Sequence, residues 1–422
     1  MKINKKILSW SLYDWANSAF ATTVLAGFFP TFFRSYWSTG DSVDTTFYLG
    51  LASSISSLVV AVLAPFLGAI ADKTSTKRKF LLFFSFIGII MTGSLSLIQS
   101  GNWPMALMFF ILASIGWSGG NLFYDSLIIG VAEQDEKMCD DVSALGFSLG
   151  YIGGGLLFLI NVLMFKFPES FGFPNGIVAV KASFLSVAIW WAIFSIPLFI
   201  FVKEPKVDKK LSILGAIKAG LSQLKTTFKE IQKLKVVFTF LLAYFFYIDG
   251  VDTIIKMSVN YGASLGFKSE SLIVALLITQ FIAFPAVLIF NMIGRKVGVK
   301  NSLYGAIFAY SLITIAGLFM QNETHFYILA IFIGLFQGGV QAASRSYFTR
   351  LIPKDKAGEF FGFYNMLGKS AAILGPFLVA IVTKLTGSNR VGMISILLLF
   401  ILGFIFLKRV NTEKGKELAQ IL

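Results

Sequence analysis

The chain repeats one long-range pattern about twelve times: a run of roughly 20 or more mostly apolar residues, then a short polar break. A hydrocarbon core about 30 Å thick takes about 20 helical residues to cross. The pattern therefore predicts an all-α polytopic membrane protein with twelve transmembrane helices. The spans fall at about 8–36, 46–71, 80–99, 104–132, 143–165, 177–202, 236–264, 271–293, 302–320, 326–351, 360–386 and 389–407. A mean hydropathy of +0.77 agrees, as does an apolar share of 56%. Length alone would suggest about two or three soluble domains, but spans have to pack together in one membrane body. Met1–Lys6 and the apolar run after it are not a signal peptide, because the run is too long and no small-residue cleavage site follows.

The longest break, 203–235, divides the spans into six and six. It predicts an N-terminal bundle over 1–202, a linker over 203–235 and a C-terminal bundle over 236–422. The linker carries Lys203, Lys206, Lys209, Lys210, Lys218, Lys225, Lys229, Lys233 and Lys235. Leu211, Ile213, Leu214, Ile217, Leu221, Leu224 and Phe228 recur in it at three- and four-residue spacing. Both features fit an amphipathic basic helix lying on anionic lipid of the inner leaflet.

A formal net charge of +14 would ordinarily raise the question of nucleic acid. Most of the 36 Lys and Arg, however, sit in alternate breaks on the side of the N-terminus. Such a bias places both termini in the cytoplasm, so the charge is a topology signal and no nucleic-acid partner is expected. The single cysteine, Cys139, excludes a disulfide framework and a thiolate metal cluster. It falls in a predicted cytoplasmic loop. His325, the only histidine, falls in a short external loop. No metal and no cofactor are expected.

The two halves echo each other. Tyr13-Asp14 is answered by Tyr247-Ile248-Asp249, Gly119-Gly120-Asn121 by Gly338-Gly339-Val340, and Leu149-Gly150-Tyr151 by Leu367-Gly368-Lys369. Three matches in one order resemble the parallel repeats of major facilitator transporters. The segment Gly68-Ala69-Ile70-Ala71-Asp72-Lys73-Thr74-Ser75-Thr76-Lys77-Arg78-Lys79 resembles the loop signature of that superfamily, with Ser75 and Thr76 as departures. Gly68 permits close helix approach. Asp72 can face the positive N-terminal end of the eleventh helix near Glu359 to Gly362 and lock a cytoplasmic gate. Lys77, Arg78 and Lys79 would anchor the loop to anionic lipid. The equivalent C-terminal loop, 291–300, has Arg295 where an acid is expected.

Tyr13-Asp14-Trp15-Ala16-Asn17-Ser18-Ala19-Phe20 is similar to the opening signature of the vacuole-effluxer branch of the major facilitators. Further segments resemble the same family: Phe123-Tyr124-Asp125-Ser126-Leu127, Leu149-Gly150-Tyr151-Ile152-Gly153-Gly154-Gly155, Phe246-Tyr247-Ile248-Asp249-Gly250-Val251-Asp252, and Gln337-Gly338-Gly339-Val340-Gln341-Ala342-Ala343-Ser344-Arg345. Trp190-Trp191 with Phe194 and Pro197 also fits. The resemblance implies a major facilitator fold of two six-helix bundles, with helices 1, 4, 7 and 10 around a central cavity. It also implies transport, and in fungi efflux of amino acids from the vacuole. Family alone does not fix a substrate. The compact chain reads as a monomeric bacterial inner-membrane protein.

Charged groups inside a span cost about 2.5–3.5 kcal/mol on insertion scales, so they should face a cavity or a partner. Asp249, Asp252 and Lys256 share one face of the seventh span at i, i+3 and i+7, and Lys256 can pair with Asp252. Asp249 lies near mid-membrane and is the leading candidate for a protonation site. Lys369 lies at a similar depth in the eleventh span. Asp14, Asp125 and Arg345 lie nearer the cytoplasm, and one of the acids can pair with Arg345 across the two bundles. Tyr124 and Tyr247 sit beside these acids. Asn17 and Gln341, from the family-like motifs, complete the candidate substrate- and proton-binding set. Gly375-Pro376 should bend the eleventh helix, and with Gly68, Asp72, Lys77 and Arg78 makes the candidate gating set. Gly146, Gly150, Gly153 and Gly154 allow close helix contact.

No nucleotide-binding loop is present, so a gradient must supply the energy, and intramembrane carboxylates point to protons. The expectation is a proton-coupled secondary transporter exporting an amino acid or related small metabolite. Lysophospholipid, other lipid or siderophore transport is the alternative within transport. A transporter-like receptor or an integral-membrane enzyme is the alternative outside it, though the sequence shows no convincing nucleophile and base.

Overall fold

The computed structural model describes residues 3–38, 42–204, 215, 222 and 235–421. Nearly all of them are helical. We number the helices α1 (5–37), α2 (Ser42–Thr74), α3 (Lys77–Ser94), α4 (Trp103–Ser126), α5 (Glu136–Lys166), α6 (Gly176–Phe201), α7 (Lys235–Ser264), α8 (Ser269–Val297), α9 (Val299–Leu318), α10 (Glu323–Phe348), α11 (Ala357–Thr386), α12 (389–409) and α13 (Thr412–Ile421). Among the described residues ten helices are long and apolar enough to cross a membrane. With α1 and α11 they make the twelve expected spans. The linker 205–234 lies outside the described residues apart from positions 215 and 222, so its amphipathic helix does too.

Polar residues at the breaks start these helices. The side chains of Asn4, Asp135, Asn175 and Asn322 each accept the backbone N–H three residues on, which satisfies one of the free donors of a helix N-terminus. The Asp135 cap moves the start of α5 back from the expected position 143 to Glu136. Cys139 is thereby helical and buried rather than in a loop. Helix α4 ends at Ser126, and a short helix, Ile128–Val131, follows it. Helix α1 is not uniform: π-helical turns occupy Phe20–Phe28 and Phe33–Trp37, with Phe29 N–H bonded to Val24 O. Such turns insert an extra residue and re-aim the face that follows.

The surface is inverted relative to a water-soluble fold. Leu58, Val62 and Phe86 are more than 60% exposed, while Ser11, Thr23, Ser143, Asn161 and Asp249 are fully buried. An apolar exterior of that extent fits hydrocarbon rather than water.

Within the first six helices, α3 packs on α4, α1 on α5 and α6, and α2 on α4. Within the last six, α8 packs on α10 and α7 on α11 and α12. The halves meet through α2 against α11 and through α5 against α8 and α10. The α2–α11 and α5–α8 pairs exchange under a six-helix offset, since helix 2 then corresponds to 8 and helix 5 to 11. Glycine makes the contacts close. A Cβ on Gly68 would collide with the Gly358 backbone, and one on Gly362 would lie 2.6 Å from Pro65 Cα. A Cβ on Gly155 would lie 2.9 Å from Gln280. The start of α1 and the helix α13 lie on the face where Asp72 of α2 meets the start of α11, called the termini face below.

Gly362 therefore has no room for a side chain, whereas a Cβ on Gly305 would meet nothing within 4 Å. Gly362→Ala should destabilise the protein by about 1–3 kcal/mol through overpacking. Gly305→Ala should leave it unchanged or stabilise it by up to about 1 kcal/mol. Thermal unfolding midpoints in one detergent, with Gly305→Ala as the matched control, check the difference.

Candidate functional site

Arg345 of α10 is the centre of a cluster drawn from five helices. Its Nη1 donates to Asp125 Oδ1 at 3.0 Å, and its Nη2 lies 3.5 Å from Asp14 Oδ2. Helix α5 supplies two acceptors, Ser143 Oγ at 2.9 Å from Nε and Ser143 O at 3.0 Å from Nη2. Tyr124 OH donates to Asp14 Oδ2 at 2.8 Å. Asn365 of α11 donates to Asp125 Oδ2 at 3.3 Å. The guanidinium also faces three rings, with centroids at 4.2 Å for Phe147, 4.9 Å for Trp10 and 5.5 Å for Tyr124. Trp10 and Tyr124 stack at 4.2 Å, and Trp10 Nε1 donates to Tyr124 O.

Arg345, Asp14 and Asp125 are all at least about nine-tenths buried. Removing one partner of a buried ion pair typically costs about 3–5 kcal/mol, because the other charge is left uncompensated. The contact needs room made elsewhere: a Cβ on Gly146 would lie 2.6 Å from Asp14 Oδ2 and 3.0 Å from Tyr124 OH. Gly150 and Gly154 give α1 the same clearance at Ser18. The α5 glycines are thus what lets α1 bring its carboxylate to α10.

Towards the opposite face the polar lining continues. Asn17 donates to Asn121 Oδ1 at 2.9 Å, within the N-terminal half. Tyr151 OH donates to Gln341 Oε1 at 2.7 Å, between the halves. Ser143 Oγ and Ser148 Oγ also cross between them, to Ala342 O and Phe284 O.

Towards the termini face lie the ties that close it. Asp72 accepts from Gly358 N at 2.9 Å and Glu359 N at 2.8 Å, so its carboxylate seats on the N-terminus of α11. Lys77 Nζ is 2.6 Å from the same carboxylate. Arg78 donates to Phe199 O. Lys77 and Arg78 therefore spend their charge inside the protein, which corrects the expectation that they anchor the loop to lipid. Glu204, just after α6, accepts both their backbone N–H groups and so caps α3. On the other side Asp141 pairs with Arg295 and accepts from Asn291 at 2.8 Å.

The structure does not bring Asp249 to the Arg345 cluster. Asp249 is fully buried within the C-terminal half and accepts from Gly375 N at 3.0 Å and Thr253 Oγ1 at 3.3 Å. A Cβ on Gly375 would collide with Thr253. Asp249, Gly375 and Pro376 form one unit in which the α7 carboxylate takes up a backbone donor of α11 beside its proline. Tyr247 is also internal, with its OH 2.6 Å from Ser344 Oγ. Asp252 is partly buried, and the side chains of Lys256 and Lys369 lie outside the described residues. Sequence reasoning missed Trp10, Ser143, Phe147 and Asn365, which carry no charge to mark them. It also missed the Asp141–Arg295 tie, although the misplaced Arg295 was a signal for it.

Known proteins agree with this architecture. The family model described as vacuole effluxer Atg22 like matches residues 36–420. The chain is 39% identical to an uncharacterised MFS-type transporter, YxiO, of Bacillus subtilis strain 168, over 99% of this chain and 98% of that protein. It is 24% identical to autophagy-related protein 22 of Saccharomyces cerevisiae, over 90% of this chain and 81% of that protein. Its fold is similar to that of the human organic anion transporter MFSD10 (TETRAN), with a TM-score of 0.76 at 14% identity, over 96% of this chain and 99% of that one. It is also similar to the proton:xylose symporter XylE bound to 6-bromo-6-deoxy-D-glucose, with a TM-score of 0.71 at 14% identity, over 99% and 97% of the two chains. The chain is a multi-pass transporter of the major facilitator fold and belongs to the vacuole effluxer Atg22-like family.

Proposed function

We propose that the protein exports a small zwitterionic metabolite, an amino acid or a close relative, by proton-coupled alternating access in a bacterial plasma membrane. One observation carries this reading: a single buried guanidinium from one half is shared by two carboxylates from the other. When the halves part on the termini face, Arg345 leaves Asp14 and Asp125, and all three charges need new partners. A zwitterion supplies both, its carboxylate to Arg345 and its ammonium to the acids. With both acids ionised the three groups sum to −1, so a single proton balances them. Solute binding lets the opened site close again around paired charges, and after the solute has left a proton does the same for the return, so solute and proton move in opposite directions.

The bias of Lys and Arg to the termini face supports its assignment to the cytoplasm, so the conformation described is closed to the cytoplasm. The linker 203–235 would then lie on anionic lipid of the inner leaflet, and a monomer suffices for the cycle. Asp249, bonded inside its own bundle, supports α11 in this reading, and the proton goes to Asp14 or Asp125.

Proteoliposomes test the coupling. Under an imposed pH gradient the wild type should accumulate a labelled amino-acid mixture, and Asp125→Asn should reduce that accumulation about tenfold or more while leaving solute exchange measurable. Unchanged accumulation in both Asp14→Asn and Asp125→Asn removes these acids from the coupling step. Asp72→Asn should loosen the termini face, since the helix N-terminus of α11 loses its negative partner. Slower turnover with near-normal solute binding is expected, and normal turnover would take Asp72 out of the gate.

A further inference from the structure

Helix α13 follows the last span and packs back on the termini face. Tyr347 OH and Thr412 Oγ1 are 2.6 Å apart. Asn411 caps the helix by accepting from Lys414 N at 3.1 Å. A Cβ on Gly415 would lie 2.6 Å from the Leu351 side chain and 3.0 Å from that of Val236, so the helix is closely seated. Leu418 packs against the buried core. Tyr347, Leu351 and Val236 belong to the C-terminal half.

Lys416 reaches the other half. Its Nζ is 2.9 Å from Glu136 Oε2 in the first turn of α5. Arg350 Nε is 3.6 Å from the same oxygen, and Arg350 Nη2 is 2.5 Å from Asp140 Oδ2. The start of α5 thus holds three acids, Glu136, Asp140 and Asp141, against three cations of the C-terminal half, Lys416, Arg350 and Arg295. Lys416, Ala419 and Gln420 also form one wall of a cavity of about 700 Å³ on this face, and Cys139 lies on another.

We propose that α13 is a releasable strap. It is fixed to the C-terminal half and holds the termini face shut by gripping Glu136, and Lys416 lets go each time that face opens. The proposal rests on the alternating-access reading. The Lys416 and Glu136 side chains are 31% and 43% exposed. Ion pairs of that kind shift an equilibrium about two- to fivefold, enough to set the closed fraction and weak enough to break in every cycle. Transport rate would then depend on the ten residues of α13, far along the chain from the Arg345 cluster.

The chain provides its own reporter, because Cys139 is its single cysteine and is only 3% exposed. The experiment is the rate of N-ethylmaleimide reaction with Cys139 in the full chain in nanodiscs, read without solute. Lys416→Glu places like charges together, and Gly415→Leu lifts α13 off Leu351 and Val236. Each should speed labelling about two- to fivefold, while Lys416→Arg should keep the wild-type rate. Wild-type rates in both Lys416→Glu and Gly415→Leu overturn the strap, as does a Lys416→Arg protein as fast as Lys416→Glu. Solute flux on the same preparations separates the two ideas. Unchanged labelling with normal wild-type flux removes the strap alone, and faster labelling without wild-type flux removes the transport reading alone.

Discussion

Arg345 sits where a guanidinium is expensive to bury, and most of the surrounding architecture compensates for that. Two carboxylates, a serine and three rings replace the water it has lost. Charge burial is tolerated only with partners of good geometry, and those partners come from α1, α4 and α5, helices of the opposite half. The halves are therefore tied, towards the termini face, by an interaction that neither half can complete alone. This dependence also explains the glycines of α5, because side chains at Gly146 or Gly150 would push Asp14 away from Arg345.

Beside that tie the two sides of the interface use opposite polarities on the termini face. On α2 an acid, Asp72, meets the positive N-terminus of α11. On α8, the repeat-related helix, a base, Arg295, meets the acid Asp141 of α5. Helix α5 presents the Asp141 carboxylate to its partner where α11 presents backbone N–H groups, and a carboxylate takes a cation. The two ties use matching helix pairs and exchanged chemistry. The ties described here run from the termini face to Gly155 and Gln280, part-way along α5 and α8, which is the arrangement of a body closed at one end.

The twelve spans were legible because hydrocarbon thickness imposes a length that irregular sequence cannot imitate. The pairing of Asp14 or Asp125 with Arg345 was legible for a related reason, since intramembrane charges have few places to go. Other features depend on packing that no local pattern encodes. Nothing in Phe20–Phe28 announces a π-helical segment. Asp249 read as a mid-membrane acid free to take a proton, and only the fold brings Gly375 N to its carboxylate. Lys77 and Arg78 looked like lipid anchors because a basic cluster beside a span usually is one, yet Asp72 and Phe199 O claim them. Ser143, Phe147 and Asn365 are ordinary residues whose importance comes from the one side chain they surround.

The central claim is that Arg345 holds the termini face shut. Spin labels at positions 79 and 296, on exposed ends of α3 and α8 in opposite halves, would report the separation of the halves by electron–electron resonance. Cys139 would be replaced by serine in the background. The wild-type background should show a dominant short distance, and Arg345→Gln should transfer population to a longer one without added solute. A folded Arg345→Gln protein with an unchanged distance distribution would contradict the account.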